Sequence, residues 1–392
     1  MRKPLLALAV SAFGIGTSEF IIMGLLPDLA HSFQVSIPKT GILVSGYALS
    51  VTLGSPLVAL ALSRMDRKRA LVILMGMFVA GNALCALAPT FLLLLGARIL
   101  TALCHGAFFG IGSIVASHLV PRSERAQAIA LMFAGLTLAN VMGVPAGTAL
   151  GQAFGWRFAF WALVPIGLVA GLGLLLMVPS QPPEKVHLKH EFHAVIRPQV
   201  QLVLALSTLS SISLFCVFTY IAPILEQVTH LSPIAVTRVL MVFGVGITLG
   251  NLAGGRLADW KPMPVIVGGI ALLILIFAVM PLLEPMVIPA VVMVFVWGCV
   301  HFAAGAPLQA RIVEQAKGAP NLASTLNQGA FNLGNAIGAS LGGIMLTEGV
   351  AYRYLSLGSA AVASVALLVS LVALRVERRE TGSAEKNEMV SV

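Results

Sequence analysis

The chain has 392 residues, of which 58% are hydrophobic and only 10% charged, with a mean hydropathy of +0.97. An ordinary soluble domain carries about 25% charged residues, and no soluble fold of this length could cover so much apolar surface, so the bilayer is the solvent this sequence requires. The formal charge of +9 does not point to nucleic acid, because the basic residues lie in short clusters between apolar runs and not along one face.

Apolar runs of about 20 residues, the length a hydrocarbon core of about 30 Å demands, fall at 5–26, 41–62, 70–88, 91–115, 127–150, 158–178, 200–225, 239–258, 265–283, 287–308, 322–347 and 354–374. They predict an all-α membrane protein of twelve transmembrane helices. Span 1 follows Arg2 and Lys3, and its Ala9-Val10-Ser11-Ala12 imitates a signal-peptide cleavage site. The run continues to Leu26 and eleven spans follow, so it reads as an uncleaved helix.

Span 1 carries Glu19, the only acidic residue deep inside a span; Asp28, Glu226, Asp259, Glu314 and Glu348 all fall at or near helix ends. A charge at the bilayer centre costs at least about 2.5–3.5 kcal/mol, so it rarely persists without a role. Span 2 holds Tyr47 and ends in the basic cluster Arg64, Arg67, Lys68 and Arg69. Span 4 holds His105 and Arg98, the only basic residue inside a span. At 1.5 Å per residue, Glu19 and Arg98 each lie about 10 Å below the outer boundary. Two roles fit the pair: a proton-coupling site, in which Arg98 favours the charged carboxylate, or a static buried ion pair joining two helices.

Span 5 contains Asn140 and the run Gly143-Val144-Pro145-Ala146-Gly147, with Gly151 one turn on. Glycines four apart make a smooth helix face that admits a close neighbour, and Pro145 removes a backbone hydrogen bond. Spacing alone equally supports ordinary packing, since Gly246, Gly250 and Gly254 in span 8 repeat it. The polar stretch 179–199 reads as a solvated linker. Its histidines His187, His190 and His193 miss the His-Glu-x-x-His spacing of a zinc helix by one residue.

The second half adds Tyr220, His301, Asn327, Asn332 and Asn335 within apolar runs. With Tyr47, His105 and Asn140 these are candidates for lining a substrate cavity. The competing reading is interhelical hydrogen bonding, worth only about 0.6 kcal/mol on average in one membrane protein. His105 and His301 can titrate near neutral pH, but a lone histidine in a span is as often a structural donor. Cys85, Cys104, Cys216 and Cys299 show no metal spacing and read as small packing residues.

With the N-terminus inside, cytoplasmic segments hold nineteen of the 24 basic residues, and external loops hold only Lys39, Arg157, Arg238 and Arg353. That bias places both termini in the cytoplasm. Sliding the chain on itself by 195–196 residues superposes Asn140, Gly143 and Gly147 on Asn335, Gly338 and Gly342, Pro27 on Pro223, and Cys104 and Gly110 on Cys299 and Gly305. Equivalent spans coincide, which predicts parallel halves about an axis along the membrane normal, with a site near the midplane between them. The expected organisation is an N-terminal six-helix bundle (1–178), a cytoplasmic linker (179–199), a C-terminal six-helix bundle (200–374) and a cytoplasmic tail (375–392).

Four stretches carry a resemblance over nearly the whole chain: Gly16-Thr17-Ser18-Glu19-Phe20 with Gly24-Leu25-Leu26-Pro27, His105-Gly106-Ala107-Phe108-Phe109-Gly110, Asn140 to Gly147, and Gly155-Trp156-Arg157. The chain resembles the major facilitator superfamily in its twelve-spanner drug:proton antiporter branch, and is similar to arabinose-inducible and sugar-efflux permease-like members. The resemblance implies that Gly143, Pro145 and Gly147 form the branch's helix-5 antiporter motif, and that Arg98 is the arginine of its helix-4 motif. It also implies a cytoplasmic latch at Gly255-Arg256-Leu257-Ala258-Asp259, where the Asp259 carboxylate meets basic residues and a helix N-terminus. The first-half copy keeps Arg64 and Arg67 but puts Ala59 in the glycine slot, Ser63 in the aspartate slot and Asp66 in the later glycine slot.

The expected function is a proton-coupled secondary transporter that exports small, mostly neutral organic molecules such as drug-like compounds, sugars or nucleosides. An uptake symporter of the same fold stays open. An enzyme is disfavoured, because no span presents a nucleophile with its base and no Walker sequence occurs; a passive channel is disfavoured too. No cofactor or metal is expected. The expected partners are the substrate, protons and lipid, around a monomer in the cell inner membrane.

Overall fold

The computed structural model describes residues 2–121, 124–182, 196–260, 262–315 and 320–390, and these are helical throughout with no strand. The twelve principal helices are α1 (Arg2–Gly24), α2 (Ile37–Leu62), α3 (Arg67–Leu87), α4 (Phe91–His118), α5 (Arg125–Leu138 continuing as Val144–Phe154), α6 (Trp156–Met177), α7 (Pro198–Phe218), α8 (Pro233–Trp260), α9 (Pro262–Leu283), α10 (Val287–Gln315), α11 (Pro320–Thr347) and α12 (Leu355–Val390). Among the described residues, eleven of these segments are long and apolar enough to cross a membrane. The exception is α11, which has the length but carries Asn327, Gln328, Asn332 and Asn335. Those amides lower its hydropathy without shortening it.

Three spans depart from unbroken helices. Span 1 stops at Gly24 and restarts as Leu26–Phe33, and span 7 stops at Phe218 and restarts as Ile221–Gln227. Proline opens both restarts, at Pro27 and Pro223, where a missing N–H costs least. In α5 a π-turn at Ala139–Gly143 joins the two helical parts. Pro145 cannot donate to the carbonyl one turn before it, and the wider turn absorbs that loss. Helix α12 continues past residue 375 to Val390.

Packing repeats between the halves. In the first, α1 packs on α5 and α6, α2 on α4, and α3 on α4 and α6; in the second, α7 packs on α11 and α12, α8 on α10, and α9 on α10 and α12. The register repeats as well. Gly143 and Gly147 of α5 lie against Thr17 and Ile21 of α1, while Gly338 and Gly342 of α11 lie against Ile212 and Cys216 of α7. Every residue of the second set lies 195 positions after its counterpart. A Cβ on any of these four glycines would collide with the neighbouring helix. The glycine faces are therefore contacts within each half, which is where close backbone approach is needed.

Candidate functional site

The first half buries a polar cluster between α1, α2 and α4. Glu19 is 6% exposed and Arg98 is fully buried. The side chains of the two do not form the static ion pair weighed as the alternative to proton coupling. Arg98 donates to the backbone carbonyls of Ser18 and Glu19, and its guanidinium lies 4.1 Å from the centre of the Tyr47 ring. Two carbonyls and an aromatic face thus stabilise its charge. The Glu19 carboxylate turns instead to His105, with Oε2 3.8 Å from Nδ1. That same nitrogen lies 3.1 Å from the Tyr47 hydroxyl. Phe109 closes the far side of the imidazole, its ring centre 5.1 Å away.

A second buried bond braces the cluster. The Ser18 hydroxyl donates to Asn82 Oδ1 at 3.0 Å, and Asn82 Nδ2 donates to the Phe78 carbonyl at 2.8 Å. Asn82 was missed in the sequence, although an amide inside an otherwise apolar span was a visible signal. It ties α3 to the turn of α1 that Arg98 also grips.

The remaining candidates divide. Asn140 sits in the π-turn and donates to the Leu136 carbonyl of its own helix at 3.0 Å. Its backbone carbonyl lies against Gly244 of α8, so it marks contact between the halves. Asn327 donates to Gln309 Oε1 at 2.6 Å, and Asn332 to the Gln328 carbonyl at 3.0 Å; both keep a buried Oδ1 with no hydrogen-bond partner. His301 is buried beside Phe302 with Nδ1 unpartnered, and Asn335 is 6% exposed. Tyr220 donates its hydroxyl to the Ala339 carbonyl at 2.8 Å, and its ring lies between Gly41 of α2 and Gly343 of α11. It packs the seam and does not present a free hydroxyl.

That seam lies at the end of the bundle away from both termini. There α2 meets α11 and α5 meets α8, Thr237 of α8 donates to Gln152 of α5 at 3.1 Å, and Phe20 of α1 packs against Phe215 and Phe218 of α7. Thr52 of α2 donates to the Gly329 carbonyl of α11 at 3.3 Å further along. A cavity of about 350 Å³ opens beside Tyr220, between the start of α2 and the end of α11. It belongs to the seam and not to the Glu19 cluster.

At the opposite end, Asp66 caps α3 by accepting from the Arg69 N–H at 3.1 Å and also accepts from the Ser180 hydroxyl. Slight burial works against its charge, but those hydrogen bonds outweigh it and hold the carboxyl below its usual value. Arg64 is exposed. The Arg67 guanidinium lies 3.1 Å from His118 Nδ1 at the end of α4, and the Arg67 backbone N–H donates to the Gln181 carbonyl at 3.0 Å. The first-half loop is thus tied to the end of α4 and to the start of the linker. Asp259 lies on the α8 backbone, but its side chain lies outside the described residues, as do Lys261 and the linker histidines His187, His190 and His193. Among the described residues no group of acidic, histidine and cysteine side chains could hold a metal.

The sequence profile described as Major Facilitator Superfamily matches residues 8–321. The inner membrane transport protein YdhP of Escherichia coli (strain K12) is 44% identical over 376 residues, covering 96% of this chain and 97% of its own. A chloramphenicol resistance protein of Streptomyces lividans is 33% identical over 347 residues, covering 86% of this chain and 88% of its own. Among solved structures, a bacterial homolog of the human lysosomal transporter Spinster, in an inward-facing and occupied conformation, superposes with a TM-score of 0.78 at 18% identity, over 95% of this chain and 96% of that one. At that identity the likeness concerns the fold alone.

Proposed function

Because this chain belongs to the major facilitator superfamily, and so is a multi-pass membrane transporter and not an enzyme, we propose that it exports small, mostly neutral organic molecules in exchange for protons. The observation that carries this reading is the Glu19 carboxylate, buried in a transmembrane helix with His105 3.8 Å from it, while the nearby Arg98 guanidinium is spent on backbone carbonyls. A carboxyl in that setting is inexpensive when protonated and costly when charged, which suits a group that takes up and gives off one proton per cycle. The buried amides of α11, Asn327, Asn332 and Asn335, and the scarcity of charge suit a neutral cargo. The name of the chloramphenicol resistance relative favours drug-like molecules and export.

On this reading the protein is a monomer in the cell inner membrane with both termini cytoplasmic, following the basic-residue bias. The bundles 1–178 and 200–374 rock about the site, and 179–199 links them. The sealed seam is the external gate, so the described state is closed to the outside. Asp259 of α8 acts as the cytoplasmic latch, whereas Arg64 and Arg67 belong to a loop whose carboxylate, Asp66, is engaged by the α3 N-terminus and by Ser180 of the linker. Gly143, Pro145 and Gly147 set the pivot of α5 on α1.

The test uses everted vesicles from overexpressing cells, acidified inside, with labelled chloramphenicol, a disaccharide and a nucleoside as probes. The wild type accumulates at least one probe, and a folded Glu19→Gln protein retains binding but loses the pH-driven component. Accumulation driven by Glu19→Gln, or a wild type that empties acid-loaded vesicles of probe, overturns proton exchange at Glu19 or the export direction, respectively.

A further inference from the structure

His105 Nδ1 has two neighbours, the Tyr47 hydroxyl at 3.1 Å and Glu19 Oε2 at 3.8 Å. One ring nitrogen cannot serve both. To accept from Tyr47 it must lack a proton, and to donate to a charged Glu19 it must carry one. A hydrogen bond accepted from Tyr47 and one donated to Glu19 are mutually exclusive, and the choice between them follows the proton on Glu19. While Glu19 is protonated it needs no donor, and the imidazole accepts from Tyr47. Once Glu19 loses its proton to water, the buried carboxylate requires a donor. The imidazole supplies one by moving its own proton from Nε2 to Nδ1 through water, with no net change on the ring. Tyr47 then has no acceptor.

Tyr47 is not on a helix internal to its half. It belongs to α2, which meets the second half at the seam, with Gly41 against Tyr220 of span 7 and Thr52 donating to the Gly329 carbonyl of α11. We infer that Tyr47 is the positioning residue that ties the proton on Glu19 to the seam: its hydrogen bond to His105 holds α2 in the sealed arrangement, and deprotonation of Glu19 releases it. This rests on the proton-carrying role proposed above for Glu19. The other groups facing the fork are accounted for. Arg98 of α4 is held by two α1 carbonyls, stacks on Tyr47 and lies within electrostatic reach of Glu19. Cys85 of α3 and Cys104 of α4 lie within electrostatic reach of Tyr47 and stay neutral thiols in a buried apolar setting. From α5 the neighbouring group is Phe133, stacked on Phe109.

The experiment places spin labels at the exposed ends of α2 and α11, through Lys39→Cys and Glu348→Cys, in the full chain in nanodiscs, and follows the inter-label distance distribution as pH is raised. The wild type converts from a short to a long distance with one midpoint. Tyr47→Phe keeps the ring under Arg98 but removes the hydroxyl that favours the protonated state, so its midpoint falls by on the order of one pH unit. Glu19→Gln shows no transition. In a His105→Asn background, Tyr47→Phe causes no further shift, because the fork is already gone; a merely structural tyrosine would shift both backgrounds alike. If Glu19→Gln still titrates, the proton reading fails and this inference with it. If Glu19→Gln is flat while Tyr47→Phe leaves the midpoint unmoved, the proton reading stands and the tie through Tyr47 is overturned.

Discussion

Glu284 offers a direct measure of what burial does to a carboxyl in this protein. It lies just beyond α9, outside the membrane-spanning segments, 5% exposed and with Oε2 lacking a hydrogen-bond partner. The Thr229 hydroxyl donates to its backbone carbonyl at 2.7 Å, which fixes the segment in place. Burial pushes the carboxyl from 4.5 up to about 8, with Arg353 only partly opposing the rise. Between those two values the folded protein holds a proton that the unfolded chain does not. Stability from this group is therefore fully present below pH 4.5, falls as pH rises through the window, and is lost above about pH 8. At about 1.36 kcal/mol per unit the gap corresponds to roughly 4–5 kcal/mol, an upper figure. Glu284→Gln keeps the shape and removes the titration. At pH 5 the variant should melt within about 0.5 kcal/mol of wild type; at pH 9 it should be the more stable, by on the order of 5–10 °C. The assay is thermal unfolding in detergent at a fixed scan rate, read by a thiol-reactive fluorophore, since Cys85, Cys104 and Cys216 are buried until the fold opens. Equal pH slopes for the two proteins would refute the reasoning and mean that Arg353 keeps Glu284 charged.

Two further outcomes follow from packing and capping. Gly147→Val and Gly342→Val should lower stability by similar amounts, about 1–3 kcal/mol or more for overpacking, because each places a side chain against the neighbouring helix at the equivalent contact. Gly268→Ala, where an added Cβ meets nothing within 4 Å, should be neutral in the same melting assay. Asp66→Ala should cost about 1 kcal/mol through loss of the α3 cap and should speed proteolysis near Ser180, which loses its partner.

The twelve helices, their lengths and their pairing as repeats were legible in the sequence, because lipid leaves so few choices. A chain in hydrocarbon must satisfy its backbone within each span, so the apolar runs mark the helices, and a repeated glycine spacing marks the face each turns to its neighbour. The same register, Gly143 on Thr17 and Gly338 on Ile212, is what a shift of 195 residues predicts. Glu19 and Arg98 were legible as outliers for the same reason, since charge stands out against an apolar background. Their partners were not. Equal depth suggested an ion pair, but depth along a helix says nothing of the direction in which a side chain leaves it. Only the crossing of α1, α2 and α4 turned Arg98 to the carbonyls of α1 and brought His105 and Tyr47 to one point from residues 58 positions apart. Tyr220 shows the same limit, for its partner Ala339 and its place between Gly41 and Gly343 follow only from how α2 and α11 meet. Periodicity and hydropathy are properties of one helix read along its own axis, and they determined the architecture. Which polar groups meet depends on rotation and crossing between helices, and that was decided only by the tertiary structure.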